Sequence, residues 1–303
     1  MVNFDFSLLG QLAIGNWQLA IGNWQSISSG AHMSSSKLTE TRSVLRWQAG
    51  HVARRAKDQL ATEEPLQVRV NTRPVVVTMR TAGHDDELAA GFLLTEGLVC
   101  SAADIQRIVP YPRNPSGNVL DVYLSPEVPV DFAKLTRHVF ASSSCGLCGK
   151  ASIESVRQQF KRIRSRLKLP VEVLRSLPEK LRQGQTAFEA SGGLHAAAIF
   201  DLRGRMVVVR EDVGRHNAVD KVLGFGLLNG LLPFDRHVLM VSGRASFEIM
   251  QKALAARVAI VAAVSAPSSL AARFAAESGQ TLAGFVRGDR LNIYSCPERI
   301  RFR

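Results

Sequence analysis

The chain is poor in cysteine, with four in 303 residues. That excludes a small secreted scaffold stapled by disulfides and fits a reducing compartment. No uninterrupted apolar run reaches the ~18 residues of a membrane-spanning helix, so no membrane span is expected. Neither GxGxxG nor GxxxxGK[ST] occurs, which leaves an ordinary Rossmann or P-loop nucleotide site unsupported. Acidic side chains are in the minority, 26 against 38 lysines and arginines, for a formal net charge of +12 at pH 7. The basic residues are scattered rather than run together, which suits a folded surface that meets anions better than a disordered nucleic-acid tail. Nucleic acid, a phosphate-rich small molecule and an acidic protein would all ask for that charge.

Residues 1–36 differ in kind from the rest. Asp5 is their single charged side chain, they carry the direct repeat QLAIGNWQLAIGNW, and Gly30-Ala31-His32-Met33 reads as a cloning remnant. They lack the positive n-region of a secretory signal. They are expected to be a cloning-derived or misassigned leader, outside the fold.

The remainder, in a chain 46% hydrophobic, is long enough for one large or two ordinary domains. In residues 41–140, LQVRVNTRPVVVTMR alternates on both sides of an Asn-Thr turn and predicts a hairpin. HDDELAAGFLLTEGLV, with acids in its first turn, predicts a helix. DIQRIVPYP and GNVLDVYLSP predict two more strands around a Pro-Ser-Gly turn, which makes this a smaller N-terminal α+β domain. FAKLTRHVF predicts a short helix leading into a loop at 141–150. Residues 151–185, basic and punctuated by Pro170 and Pro178, read as a helical connection.

Residues 186–303 change rhythm. MVVVR, HVLMVS, VAIVAAVSA and TLAGFV are short continuous apolar runs separated by segments of helical spacing. That pattern predicts an α/β domain with a largely parallel sheet buried on both faces. In such sheets a ligand sits beyond the carboxyl ends of the strands, where EDVGRHN, SGRAS and APSS fall. Glycine and serine there expose backbone N–H groups at helix N-termini, and Arg215 and Arg244 stand ready to clamp an anion. Simple connecting turns with solvated arginines would look the same.

The segment ASSSCGLCGK, residues 141–150, holds Cys145 and Cys148. A structural zinc site wants a second pair of ligands, and Cys100 and Cys296 are isolated. A three-ligand catalytic zinc on Cys145, Cys148 and His195 would lack the glutamate that zinc deaminases carry two residues after the histidine, because Ala197 stands there. A thioredoxin-like pair opens a helix directly after a strand, whereas this pair follows a serine run and is flanked by glycines. A sulfur-carrying thiolate must be accessible and nucleophilic, which the glycines, Lys150 and a helix start after Gly149 would favour. Composition permits this last reading without selecting it.

CGLCG, SGGLHAAAIF, EDVGRHNAVDKVLG, SGRASFEIMQKALAARVAIVAAVSAPSSLA and TLAGFVRGDRLNIYS, in that order, together with ELAAGFLLTEGLV, resemble the FdhD family of formate dehydrogenase accessory proteins. The resemblance covers roughly residues 41–300. It implies a cytoplasmic sulfur carrier, a homodimer, with a C-terminal domain of cytidine-deaminase-like fold that lacks the deaminase chemistry. It implies that a cysteine desulfurase loads Cys145 as a persulfide, with Cys148 as the second cysteine. The sulfur then goes to the molybdenum of bis-molybdopterin guanine dinucleotide before that cofactor enters the formate dehydrogenase apoenzyme. Guanine nucleotides would mimic the cofactor. Phe285, Val286, Arg287, Gly288, Asp289 and Arg290 match the family's cofactor-binding segment, and no bound metal, nucleic acid or membrane is implied. One departure is Leu194, where the family usually has threonine before the histidine of HAAA.

On this resemblance, Arg287 and Arg290 are expected to meet phosphate and Asp289 to accept from the guanine N1–H and N2–H₂. His216, with Asp212 orienting it, and His195 are candidates to line the same cleft; a helix-capping Asp212 and packed histidines are the competing readings. A chaperone that only holds the cofactor and a zinc-dependent deaminase-like hydrolase remain the alternatives.

Overall fold

The computed structural model describes residues 38–114, 116–132 and 160–302. Cys145 and Cys148, the leader at 1–36 and the helix expected in FAKLTRHVF lie outside the described residues, apart from Phe132. The architecture is α/β, built on a four-stranded and a six-stranded sheet with two further strand pairs.

The first sheet has the order β4-β3-β6-β5. Strands β3 (Glu64–Val70) and β4 (Arg73–Arg80) form the expected hairpin, and its two-residue turn places Asn71 and Thr72 at φ 46° and 68°. Positive φ at both central positions marks a type I′ turn, whose twist matches the strands. Strands β5 (Ile105–Pro110) and β6 (Val119–Leu124) pair antiparallel, while β6 runs parallel to β3. Helix α1 (Asp85–Thr95) crosses between β4 and β5, with Asp85, Asp86 and Glu87 in its first turn. Ahead of these elements, β1 (Thr39–Arg46) and β2 (Arg54–Ala61) form a separate two-stranded ribbon, exposed along most of its length and resting against α3 (Thr186–Ser191).

The second sheet has the order β13-β12-β11-β10-β8-β9 and is mixed. Its parallel part is β10 (His237–Val241), β11 (Ile260–Ala263) and β12 (Thr281–Arg287), joined through α5 (Phe247–Ala255) and α6 (Ser269–Ser278). Antiparallel partners flank it: β8 (His195–Asp201) and β9 (Met206–Asp212) on one side, β13 (Arg290–Ser295) on the other. The MVVVR run is therefore the outer arm of a hairpin rather than a crossover strand, because the tight Arg203–Gly204 turn brings it straight back on β8.

Alternate residues of β8 divide between two cores. Ala197 and Ile199 face a core shared with α1, α4 (Arg215–Leu228), α5, α6 and the first sheet. Ala196, Ala198 and Phe200 face a second core completed by Leu174, Leu177 and Leu181 of α2 (Val171–Gln183). Burial on both faces is why these strands read as unbroken apolar runs. In the segment expected to be a helical connection, residues 161–168 carry no helix; β7 (Leu169–Pro170) pairs parallel with β14 (Ile300–Arg301), and α2 begins only after Pro170, whose fixed φ suits a helix start.

Candidate functional site

The second sheet brings its chemistry to one edge. β10, β11 and β12 end there, and β8, antiparallel to β10, begins there with His195, whose register partner is Asp212 at the end of β9. The long helices that follow these strands start at the same edge. Ser246 and Ser268 cap α5 and α6, accepting from the N–H of Ile249 and Ala271 at 3.4 and 3.1 Å. These are the first-turn donors a helix leaves unsatisfied, and serine is among the residues best able to take one.

Asp212 holds the turn into α4. It is fully buried, its Oδ1 accepts from the Gly214 N–H at 2.8 Å and from Asn217 Nδ2 at 3.0 Å, and its Oδ2 accepts from the Thr81 N–H at 3.2 Å. Lys221 Nζ pairs with it at 2.7 Å. His216 is oriented by other groups: its Nε2 lies 3.1 Å from Ser246 Oγ and 3.2 Å from Glu248 Oε2. Asp212 therefore braces the turn ahead of α4 without capping the helix, whose N-cap is Gly214 and has no side-chain cap hydrogen bond. Burial first, then Lys252, Arg215 and His195, push the His216 imidazole down to about 3. The adjacent carboxylate would favour the cation, but it also faces Lys252 at 4.0 Å, so a neutral ring donating from Nε2 fits this site best.

His195 is lowered too, by burial first and then by Arg215 and Arg244, with Asp212 opposing. Gly243 leaves room for its ring, since a Cβ there would stand 3.3 Å from Nδ1. The EDVGRHN and SGRAS turns thus converge on one neutral histidine.

His195 lines two cavities. The smaller, about 230 Å³, is bounded by Glu63, Thr78, Gly214, Arg215, His216 and Asn217. Arg215 Nε is buried there without a hydrogen-bond partner. The larger, about 660 Å³, lies between the sheet edge and α2, in the size range of small-molecule and cofactor sites. Val286, Arg287 and Gly288 form one wall, and Leu194 and Ser242 reach it beside His195. Leu194 is buried, so an apolar side chain replaces a hydroxyl within this lining.

The segment 285–290 is a β-hairpin turn rather than the free end of a strand. Arg287 and Arg290 are register partners across Gly288-Asp289, and Gly288 has φ 53°. Phe285, at φ 52°, breaks the pairing with a bulge, and its N–H donates to the Ser265 carbonyl at 3.1 Å. Arg287 Nε donates to the Val264 carbonyl at 3.0 Å, which fixes the base of its side chain at the edge. Phe285, Asp289 and Arg290 are exposed and outside the lining of both cavities, and Arg244 is also exposed. Arg175 and Arg182 of α2, and Phe188 of α3, line the larger cavity and escaped the sequence reading. The spacing of the two arginines, one heptad apart beside the Leu174, Leu177, Leu181 stripe, is the signal that could have found them.

The family model for the FdhD/NarQ family matches residues 61–301. A sulfur carrier protein FdhD from Streptomyces avermitilis is 49% identical over 275 residues, 88% of this chain and 97% of that protein. The protein of that name from Mycobacterium tuberculosis is 48% identical over 80% of this chain and 92% of its own length. The one from Sulfolobus acidocaldarius is 43% identical over 81% and 92%. Among solved structures, a candidate formate dehydrogenase accessory protein from Desulfotalea psychrophila superposes with a TM-score of 0.70 at 25% identity, covering 87% of this chain and 100% of that one.

Proposed function

The chain belongs to the FdhD/NarQ family, and on that premise we propose that it carries sulfur to the molybdenum cofactor of formate dehydrogenase. A thiolate at Cys145 attacks the sulfane sulfur of a cysteine desulfurase persulfide; the new S–S bond forms on Cys145 and the desulfurase thiolate leaves. Hand-over to molybdenum breaks that bond and returns the Cys145 thiolate, the two electrons that reduce the sulfane sulfur to sulfide coming from the metal. Cys148, three residues on, assists loading or release. The substrate is bis-molybdopterin guanine dinucleotide, a polyanion, and the acceptor of the finished cofactor is the formate dehydrogenase apoenzyme.

The observation that carries this reading is the larger cavity at the sheet edge, walled by Val286–Gly288 of the motif segment and rimmed by arginines. Its size and its cationic rim suit a nucleotide with a pyrophosphate. His195, Arg215, His216 and Arg244 gather at the same edge, with His195 and His216 kept neutral as hydrogen-bonding groups. No described helix is long and apolar enough to cross a membrane. A cytoplasmic homodimer is the working form this reading implies.

The test is intact mass after incubation with a cysteine desulfurase, cysteine and a trapping alkylator. Wild type gains the mass of one sulfur atom and Cys145→Ala does not. A Cys145→Ala variant that still matures formate dehydrogenase would turn the protein into a chaperone that holds the cofactor without carrying sulfur.

A further inference from the structure

The larger cavity has a second wall that the motif segment does not supply. Helix α2 sends Leu174, Leu177 and Leu181 into the core, and presents Arg175, Glu179 and Arg182 to the cavity. These three are four and three residues apart, so they stand in one row along the helix. Arg175 Nε donates to the Gly288 carbonyl at 3.0 Å and ties α2 to the β12–β13 turn. Arg182 lies over the Phe188 ring at 4.7 Å.

Among the described residues Glu179 is the single carboxylate in this lining, which it shares with two arginines of its own helix and with Arg287. A negative charge repels a polyanionic ligand, so its presence in such a site calls for a specific donor on that ligand. Gln183 Nε2 donates to its Oε1 at 3.3 Å, which occupies one of the carboxylate's four or so acceptor positions. The two oxygens of a carboxylate match a pair of adjacent N–H donors. Guanine offers such a pair in N1–H and the exocyclic N2–H, whereas adenine has an acceptor nitrogen at the same place.

We infer that Glu179 reads the guanine base of the ligand and sets a preference for guanine over adenine nucleotides. The carboxylate that the sequence nominates for this contact, Asp289, sits on the exposed hairpin turn outside the cavity lining. This assignment rests on the reading of the cavity as the cofactor's nucleotide site. It extends that site from the sheet edge to α2, a helix outside the motif that Arg175 ties to the turn at Gly288.

Calorimetric binding of GDP, IDP and ADP to the full chain tests it. Wild type binds GDP in preference to ADP, and IDP, lacking the exocyclic amine, falls between them. Glu179→Ala weakens GDP at least tenfold, the scale of a lost charge-assisted pair, and leaves ADP unchanged or tighter. Glu179 is exposed on its helix, so the variant is expected to keep the wild-type melting temperature. A GDP preference that survives Glu179→Ala, or one that survives there and vanishes in Asp289→Ala, overturns the inference. Loss of GDP binding in Arg287→Ala, with Glu179→Ala unchanged, would leave the site standing and remove only its guanine reader. Wild type that binds none of the three nucleotides would bring down the site reading itself.

Discussion

The α1–α4 seam and the carboxyl edge of the second sheet are built from similar charged residues and use them in opposite ways. In the seam, Lys252 and Asp220 are both buried, paired at 2.8 Å, and Thr95 Oγ1 donates to Asp220 at 2.9 Å. Arg210 meets Glu87 through two nitrogens, one at 2.6 Å. At the edge, Arg215 Nε is buried with no hydrogen-bond partner, and three arginines from two elements rim the larger cavity. Buried charges in the seam are completed by the protein itself, whereas the buried Nε of Arg215 at the edge is not. The seam also closes more tightly than side chains allow. Gly91 and Gly224 let the two helix backbones touch, and an added Cβ would fall 1.9 Å from the Asp220 carbonyl oxygen or 1.8 Å from that of Glu87.

Breaking the seam should have the largest effect. Gly224→Ala forces backbone against backbone, and the expected loss is about 4 kcal/mol, the upper end for single substitutions, read from chemical denaturation. A loss under about 1 kcal/mol would mean that the helices can separate freely, and the contrast with the edge would fade.

Next comes the buried pair. Burial lifts the Asp220 carboxyl to about 6 even beside Lys252, whose own ammonium is raised because Asp220 and Glu248 outweigh its burial. Lys252→Met should cost about 3 kcal/mol at neutral pH by stranding that carboxylate. Without the cation the folded-state value rises further above the ordinary 3.8, so the folded form holds a proton that the unfolded form has lost. Stability of the variant therefore falls as pH rises through that interval, and the deficit is smaller at pH 5 than at pH 8. Adding Asp220→Leu should recover most of the loss; failure to recover would show that packing, rather than charge, dominates there.

The smallest effect on stability, and the sharpest on the comparison, belongs to Arg215→Ala. Removing an incompletely bonded edge cation should change stability by less than about 1 kcal/mol. It should also raise the His195 titration toward 6.5, since Arg215 is the second cause of its depression after burial. A neutral buried histidine loses stability as pH falls below 6.5, so a raised folded-state value makes that loss smaller in the variant. NMR titration of the imidazole and denaturation at two pH values measure both. A large neutral-pH destabilisation with no titration shift would make Arg215 a structural residue like those of the seam.

Much of this was open to reading along the chain. The Asn71-Thr72 turn, the acidic start of α1, and the apolar runs of β10, β11 and β12 are local signals, and each produced the element expected. The β1–β2 ribbon was not legible, because strands exposed on both faces need no alternation. The α2 wall was missed for another reason: proline at 170 and 178 suggested interruption, whereas one opens the helix and the other sits within it.

Sequence alone determined the α/β class and the family, because these depend on side-chain periodicity and on ordered motifs within short spans. Tertiary structure decided which charged groups are completed and which are not. Asp212 and His216, four residues apart, went to different partners, and Glu179 came to face Val286–Gly288 across more than a hundred residues of chain. Those outcomes depend on distances between segments remote in sequence and on burial that raises or lowers the cost of a charge, neither of which a linear pattern encodes.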